Sequence, residues 1–104
     1  MIAFPPISWL QQAKSLLQKN QCQASVKLLK AKLSNVKDLK IIGLTNWLLA
    51  QNYLMLEEPF LGLEALSKAH QWGQGLANYW ELVAKLNEQL KQYPKAIDAW
   101  KQSI

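Results

Sequence analysis

The chain has no arginine, and it contains one cysteine and one histidine among its 104 residues. A single cysteine excludes an intrachain disulfide, and Cys22 with His70 cannot complete a four-ligand zinc site of the usual kind. A nucleophile with its base is equally hard to assemble, because these two residues lie far apart in the sequence. The sequence therefore predicts no enzyme, no metal site and no cofactor.

Long apolar runs are also missing. No stretch of about 18 uncharged apolar residues occurs, so the sequence predicts no transmembrane segment. The apolar start, Met1 to Phe4, runs into Pro5 and Pro6 and lacks the basic residues and the length of a secretory signal. Together with the scarcity of cysteine, this predicts a cytoplasmic protein. With 50% hydrophobic and 18% charged residues, the chain is predicted to be folded.

Positive charge is concentrated in the first third of the chain. Residues 1–43 hold seven Lys and one Asp, whereas the remaining residues hold five Lys and six acidic residues. Such a patch suits nucleic acid or an anionic surface, although a solvated helix face produces the same pattern. The absence of Arg, whose planar guanidinium reads phosphates and base edges, weighs against nucleic acid. A basic binding module would use Lys27, Lys30, Lys32, Lys37 and Lys40.

Apolar residues recur at spacings of three and four along nearly the whole chain, which predicts helices and no strand. Pro, Gly and Asn interrupt this pattern. The sequence predicts six helices, at about 7–19, 22–33, 38–56, 59–72, 76–92 and 94–104. Asp38 is suited to cap the third helix and Pro59 to open the fourth. Since the connections are short, successive helices should be antiparallel, so we expect an all-α fold of stacked hairpins.

A repeat relates these hairpins. The pairs that lie 34 residues apart are Ala50 and Ala84, Gly62 and Ala96, and Leu66 and Trp100. The first copy is looser and aligns Ala13, Ala24 and Leu28. Its two small residues are 11 apart, against 12 in the other copies, which predicts a turn one residue shorter. Small residues let two helices approach closely, so we expect them where the helices of a hairpin cross.

The repeated positions carry a recognisable order of residue types. In the third hairpin they are Trp80, Val83, Ala84, Asn87, Ala96 and Trp100. In the second they are Asn46, Leu49, Ala50, Tyr53, Gly62 and Leu66, and in the first Trp9, Gln12, Ala13, Leu16, Ala24 and Leu28. This order resembles the tetratricopeptide repeat (TPR) family, with Ala in place of the family's Gly and without its closing Pro. The resemblance implies a right-handed α-α superhelix (a TPR-like solenoid) of about six antiparallel helices. It implies one domain over residues 1–104, with repeats at about 5–36, 43–74 and 77–104 and no separate cap helix.

The resemblance also implies a concave groove lined by the first helix of each hairpin. Such a groove would make the chain a non-enzymatic adaptor, in keeping with an assembly factor, that binds a helix or peptide segment of another protein. Trp47 is the expected anchor, because buried aromatic residues often dominate interface energies. The same face carries the polar residues Lys14, Gln18, Gln51, Asn78, Glu81, Lys85, Glu88 and Gln89. The predicted partner-binding residues are Leu10, Leu17, Leu44, Trp47, Leu48, Leu54, Met55, Leu82, Trp100 and Ile104. The alternative is that the apolar members of this set are core.

The last helix is a second predicted contact surface. Trp100 and Ile104 have no following helix to cover them, whereas repeat arrays normally end in a polar cap. We therefore expect a homodimer through this helix, another partner on it, or contact with the rest of a longer protein. Two further interpretations stay open at this point: the basic binding module described above, and an N-terminal interaction domain of a larger enzyme.

Overall fold

The structure, a computed structural model, describes residues 7–73 and 78–103, with side chains up to residue 69 and from residue 78 onward. The helices in these ranges are α1 (Ser8–Gln18), α2 (Cys22–Leu33), α3 (Leu39–Met55), α4 (Pro59–Gly73), α5 (Tyr79–Gln89) and α6 (Tyr93–Ser103). No strand occurs in the same ranges, so the predicted all-α class is confirmed. None of the described helices is long and apolar enough to cross a membrane.

Local sequence signals set most of the helix boundaries. The Asp38 carboxylate accepts hydrogen bonds from the backbone N–H groups of Lys40 and Ile41, at 2.9 and 3.4 Å, so it caps α3 as predicted. Pro59 is the first residue of α4, where its missing N–H costs no helical hydrogen bond. The α6 helix begins at Tyr93, one residue before the predicted Pro94.

Three hairpin turns share one geometry. The second residue after each of these helix ends has a positive φ: Asn20 (61°), Glu57 (58°) and Lys91 (59°). The next N–H then bonds to a carbonyl five residues back, at 2.8 to 2.9 Å, in the pairs Gln21 to Leu16, Glu58 to Tyr53 and Gln92 to Asn87. This closure satisfies carbonyls that a helix end leaves without partners. It also ends α5 at Gln89, before the predicted residue 92.

The helices form a chain of neighbouring hairpins with extents of 38 × 25 × 21 Å. The most extensive packing joins α3 to α4, followed by α5 to α6 and α1 to α2. Within the described ranges, each helix contacts only helices one or two places away along the chain. Consequently α1, α3 and α5, the first helices of the three hairpins, are neighbours, and the surface they share is built from all three hairpins.

The first hairpin keeps the register of the other two, so the prediction of a shorter turn is wrong. Ser25, and not Ala24, is the buried small residue of α2, with 0% exposure. Its Oγ donates to the carbonyl of Ala13, twelve residues earlier, at 2.8 Å. The hydroxyl is satisfied by a carbonyl of α1, so serine fits this close crossing as well as alanine does. In the same register, Leu29 is the fully buried residue and Leu28 is only partly buried.

The small residues also make room for the following hairpin. Asn52 of α3 donates from Nδ2 to Ser25 Oγ at 3.0 Å. At Gly62 a Cβ atom would lie 2.7 Å from Cδ2 of Leu86 in α5. Asn52 and Leu86 each lie two residues after the buried alanine of their helix, so the two contacts are equivalent. The space at Gly62 is thus used by α5, in addition to the expected approach within its own hairpin.

Candidate binding cleft

A cleft of 370 Å³ lies between the first helices of the three hairpins. It is lined by Leu17, Gln18, Asn20, Gln51, Leu54, Met55, Asn78, Leu82 and Lys85, and we call these nine residues the central cleft. The structure thus brings together four of the predicted partner-binding residues, Leu17, Leu54, Met55 and Leu82. It also brings together four of the eight polar residues predicted for the same face, Gln18, Gln51, Asn78 and Lys85.

Two hydrogen bonds hold the walls of the central cleft in place. Near the start of α5, Trp47 Nε1 donates to Asn78 Oδ1 at 3.3 Å. Near the ends of both helices, Gln89 Nε2 donates to the carbonyl of Leu54 at 2.9 Å. The bond that comes earlier along α3 also comes earlier along the segment of α5, so α3 and α5 run side by side in the same direction. The carbonyl of Leu54 also accepts the backbone N–H of Glu57 at 3.2 Å, so the bond from Gln89 is a second one to the same oxygen.

The apolar part of the central cleft is unevenly exposed. Met55 is 50% exposed, whereas Leu17 and Leu82 are 8% and 4% exposed. Leu54 is partly buried and packs against the core. A flexible, polarisable thioether adapts to different apolar surfaces, so Met55 is the residue of this set that a partner would meet first.

One polar atom of the central cleft lacks a partner. Gln51 Nε2 is inaccessible and has no hydrogen-bond acceptor among the described residues. A buried amide donor in this situation costs about 1–3 kcal/mol, and an acceptor on a bound molecule would recover this only if the amide turned toward the cleft opening. The ion pair at the rim of the cleft is weak. Lys85 Nζ lies 2.8 Å from Glu81 Oε1, but both side chains are almost half exposed, so solvent screens the pair.

The structure corrects the placement of several predicted partner-binding residues. Leu10, Leu44 and Leu48 are 0%, 1% and 1% exposed, so they belong to the core and offer no surface in this structure. The reason is that α1 packs against α3, which buries the apolar faces that a sequence assigns equally well to a groove. Trp47 is partly buried, and its indole N–H is engaged by Asn78.

The two remaining predicted residues belong to the last helix. Trp100 is partly buried on α6, which contributes no residue to the central cleft. Its Nε1 donates to Glu88 Oε1 at 2.7 Å. Ile104 lies outside the described residues.

One cleft residue was missed by sequence analysis. Asn20 lies in the turn after α1, with a φ of 61°. Helical periodicity places residues on the faces of helices and says nothing about a residue in a left-handed turn. The only available signal was the preference of Asn for that conformation, which indicates a turn and not a site.

The other chemically active groups do not form a centre. In the ranges that the structure describes, no group of three or more His, Cys, Asp or Glu residues could hold a metal ion. Burial raises the pKa of Tyr79 above its ordinary value, and its ring packs edge-on against Trp80 with centroids 5.1 Å apart. Cys22 is buried, and its Sγ lies 3.9 Å from Met55 Sδ.

The lysines predicted for a basic module lie on α2, in the segment that follows it and near the start of α3. The side chains of Lys27, Lys30, Lys32, Lys37 and Lys40 are all exposed. The ion pairs found in the described ranges belong instead to Lys68 and Lys85.

Comparison of the chain with protein-family models, with curated proteins and with solved structures finds no match in any of the three. The geometry of the described residues is therefore the ground on which a function can be assigned.

Proposed function

We propose that this chain is a non-enzymatic adaptor of the TPR type, whose hairpins stack into a right-handed superhelix and hold a segment of another protein in the central cleft. Two features support the architecture. The turns at Asn20, Glu57 and Lys91 are closed in the same way, as expected for copies of one structural unit. The first helices of successive hairpins are neighbours, and α3 and α5 run in the same direction.

The observation that carries the binding role is the composition of the central cleft. It combines the half-exposed side chain of Met55 with buried apolar walls and one buried donor, Gln51 Nε2, that lacks an acceptor among the described residues. Its volume of 370 Å³ lies at the low end of the range for ligand pockets, about 300–1,000 Å³. A cleft of this size accommodates one or two anchoring side chains of a peptide.

The chemistry of the cleft indicates the kind of segment it would hold. Apolar side chains such as Leu, Met or Phe would cover Met55 and the edge of Leu82. A backbone or side-chain oxygen next to them would accept from Gln51 Nε2 once that amide turns toward the cleft opening. An amphipathic helix or an extended apolar segment provides this combination, because it places apolar side chains at short intervals beside polar groups.

Selection from a displayed random-peptide library tests the proposal without a known partner. The protein is immobilised, enriched peptides are synthesised, and their affinity is measured by calorimetry for wild type and for Met55→Lys. A lysine at this half-exposed position should be tolerated by the fold and should place a charge in the apolar cleft. We expect the dissociation constant to rise at least about tenfold, which corresponds to 1.4 kcal/mol.

Phe60→Lys is the control, because Phe60 is 73% exposed on α4 and does not line the central cleft. It should bind the peptides like wild type. Peptides whose affinity is unchanged by Met55→Lys, or a selection that enriches nothing, would contradict the proposal. Methyl chemical shifts of Leu17, Leu54 and Leu82 on peptide addition locate the contact independently.

The exposed lysines of α2 support a second candidate, a basic module for an anionic partner. All five predicted lysines are accessible, and Lys30 and Lys32 lie in the last turn of α2, where the helix dipole favours positive charge. Binding of this kind depends on counterion release, so affinity should fall steeply between low and moderate salt. Titration of a fluorescent single-stranded oligonucleotide at two salt concentrations distinguishes it from apolar peptide binding, which changes little with salt.

A further inference from the structure

The α6 helix exposes an apolar seam. Tyr93 and Ile97 are 56% and 53% exposed, and Trp100 is partly exposed beside them. These residues follow each other at steps of four and three, which is the spacing of a helix-pairing seam. The hydrogen bond from Trp100 Nε1 to Glu88 Oε1, at 2.7 Å, holds the indole against α5. A contact on this seam would therefore lose little side-chain entropy at its largest residue.

The equivalent positions of α2 and α4 show what covers such a seam in the other two hairpins. Val26 follows Ser25 in α2 and Leu63 follows Gly62 in α4, and both of these small residues contact the next hairpin. Val26 and Leu63 are both partly buried against the core. Ile97 follows Ala96 at the same register position of α6. The position that is covered in two hairpins is thus more than half exposed in the third, so the α6 surface continues the established hairpin interfaces.

Two surfaces of a second copy could cover this seam. The first is the outer side of α1. It corresponds to the sides of α3 and α5 against which the preceding hairpin packs. There α1 presents Ser8, Gln12 and Lys19, all exposed, with Ser15 between them. Placing an apolar seam on these groups would bury polar atoms without partners, at about 1–3 kcal/mol for each. The second surface is α6 of the other copy, which supplies the same apolar residues.

We propose that this protein forms a two-fold homodimer in which α6 packs against α6 of a second copy. Ile97 lies at the centre of the contact, and Tyr93 and Trp100 lie on either side of it. The same seam on both partners is what a two-fold interface requires, because one patch must be complementary to itself. The dimer does not use the central cleft, so it stands or falls independently of the proposed peptide binding.

The size of the seam and the charge of the protein set the strength of the dimer. An interface built around one helix of 11 residues lies below the roughly 1,200 Å² of standard protein interfaces. The dissociation constant should therefore lie in the micromolar range. Each copy carries a formal net charge of +5, so the two copies repel each other. Added salt screens that repulsion, and the dimer should become tighter as salt is raised.

Sedimentation equilibrium of the full chain tests this, from about 10 µM to about 1 mM protein. Runs at about 50 mM and about 500 mM salt test the effect of screening. We expect a monomer–dimer equilibrium that shifts toward the dimer at high salt. Ile97→Asp should weaken association at least about tenfold, because a charge would be buried on both sides of the two-fold axis. A monomer at every concentration, or dimerisation weakened by salt, would overturn the proposal.

Phe60→Asp is the matched control, since it places the same charge at a more exposed apolar residue on α4. It should dimerise like wild type, and equal losses in both variants would refute a specific α6 contact. Tyr93→Ser is a second, uncharged test of the same seam and should also weaken the dimer. Circular dichroism checks that each variant keeps its helical content, and a Tyr93→Ser variant that folds and dimerises like wild type counts against the proposal.

Discussion

Alanine at position 62 should destabilise this protein even though alanine favours helices. In the interior of a helix, Ala is better than Gly by about 1 kcal/mol. At Gly62, however, the added Cβ would lie 2.7 Å from Cδ2 and 3.0 Å from Cδ1 of Leu86, well inside the optimal carbon separation of about 3.5–4.0 Å. Leu86 is 0% exposed and has little room to move. Overpacking of this kind costs about 1–3 kcal/mol, so we expect a net loss of about 1 kcal/mol.

The assay is thermal and urea unfolding of a double-mutant cycle. Leu86→Ala alone should cost about 2–5 kcal/mol because it leaves a cavity between α4 and α5. In that background the methyl group of Gly62→Ala has space, so only its helix propensity remains. Its effect should then change sign and become stabilising by up to about 1 kcal/mol. A loss of about 1 kcal/mol in the wild-type background corresponds to a melting temperature about 4–8 °C lower for a domain of this size.

Ser67→Ala is the matched control, because it adds an alanine at an exposed position of the same helix. It should be close to neutral, which shows that α4 tolerates alanine where nothing is packed against it. The reasoning would be refuted if Gly62→Ala stabilised the wild-type protein. It would also be refuted if the substitution had the same effect with and without the Leu86 side chain, since the two positions would then be uncoupled.

Three further predictions concern other contacts. Ser25→Ala should cost about 1–3 kcal/mol because Asn52 Nδ2 loses an acceptor, and the same substitution should cost less in an Asn52→Leu background, where that amide is absent; urea unfolding measures this. Asp38→Ala should cost about 1 kcal/mol by removing the α3 cap, seen as a lower melting temperature, and an unchanged value would contradict the capping role. Burial raises the pKa of Tyr79, so phenolate forms more readily in the unfolded chain. The stability that this neutral phenol contributes is therefore complete below about pH 10 and lost as pH rises further, and Tyr79→Phe should flatten that alkaline decline.

Several elements of the fold were predictable because their causes are local. The carboxylate of Asp38 bonds to N–H groups two and three residues away, and Pro59 acts within its own turn of helix. Helical periodicity likewise depends on residues three and four apart, so the sequence alone determined the number of helices in the described ranges and most of their bounds. The end of α5 was less predictable, because it depends on Lys91 adopting a conformation that its residue type does not favour.

Tertiary packing decided which apolar residues are covered. The sequence places Leu48 and Met55 on the same broad face of α3, yet one is 1% exposed and the other 50%. The preference for Ser25 over Ala24 depends on a carbonyl twelve residues away. Each of these outcomes is set by a neighbouring helix whose position no local pattern specifies. Helix formation is governed within one turn, whereas burial is decided by partners distant in the chain, and only the assembled structure shows which surface stays open.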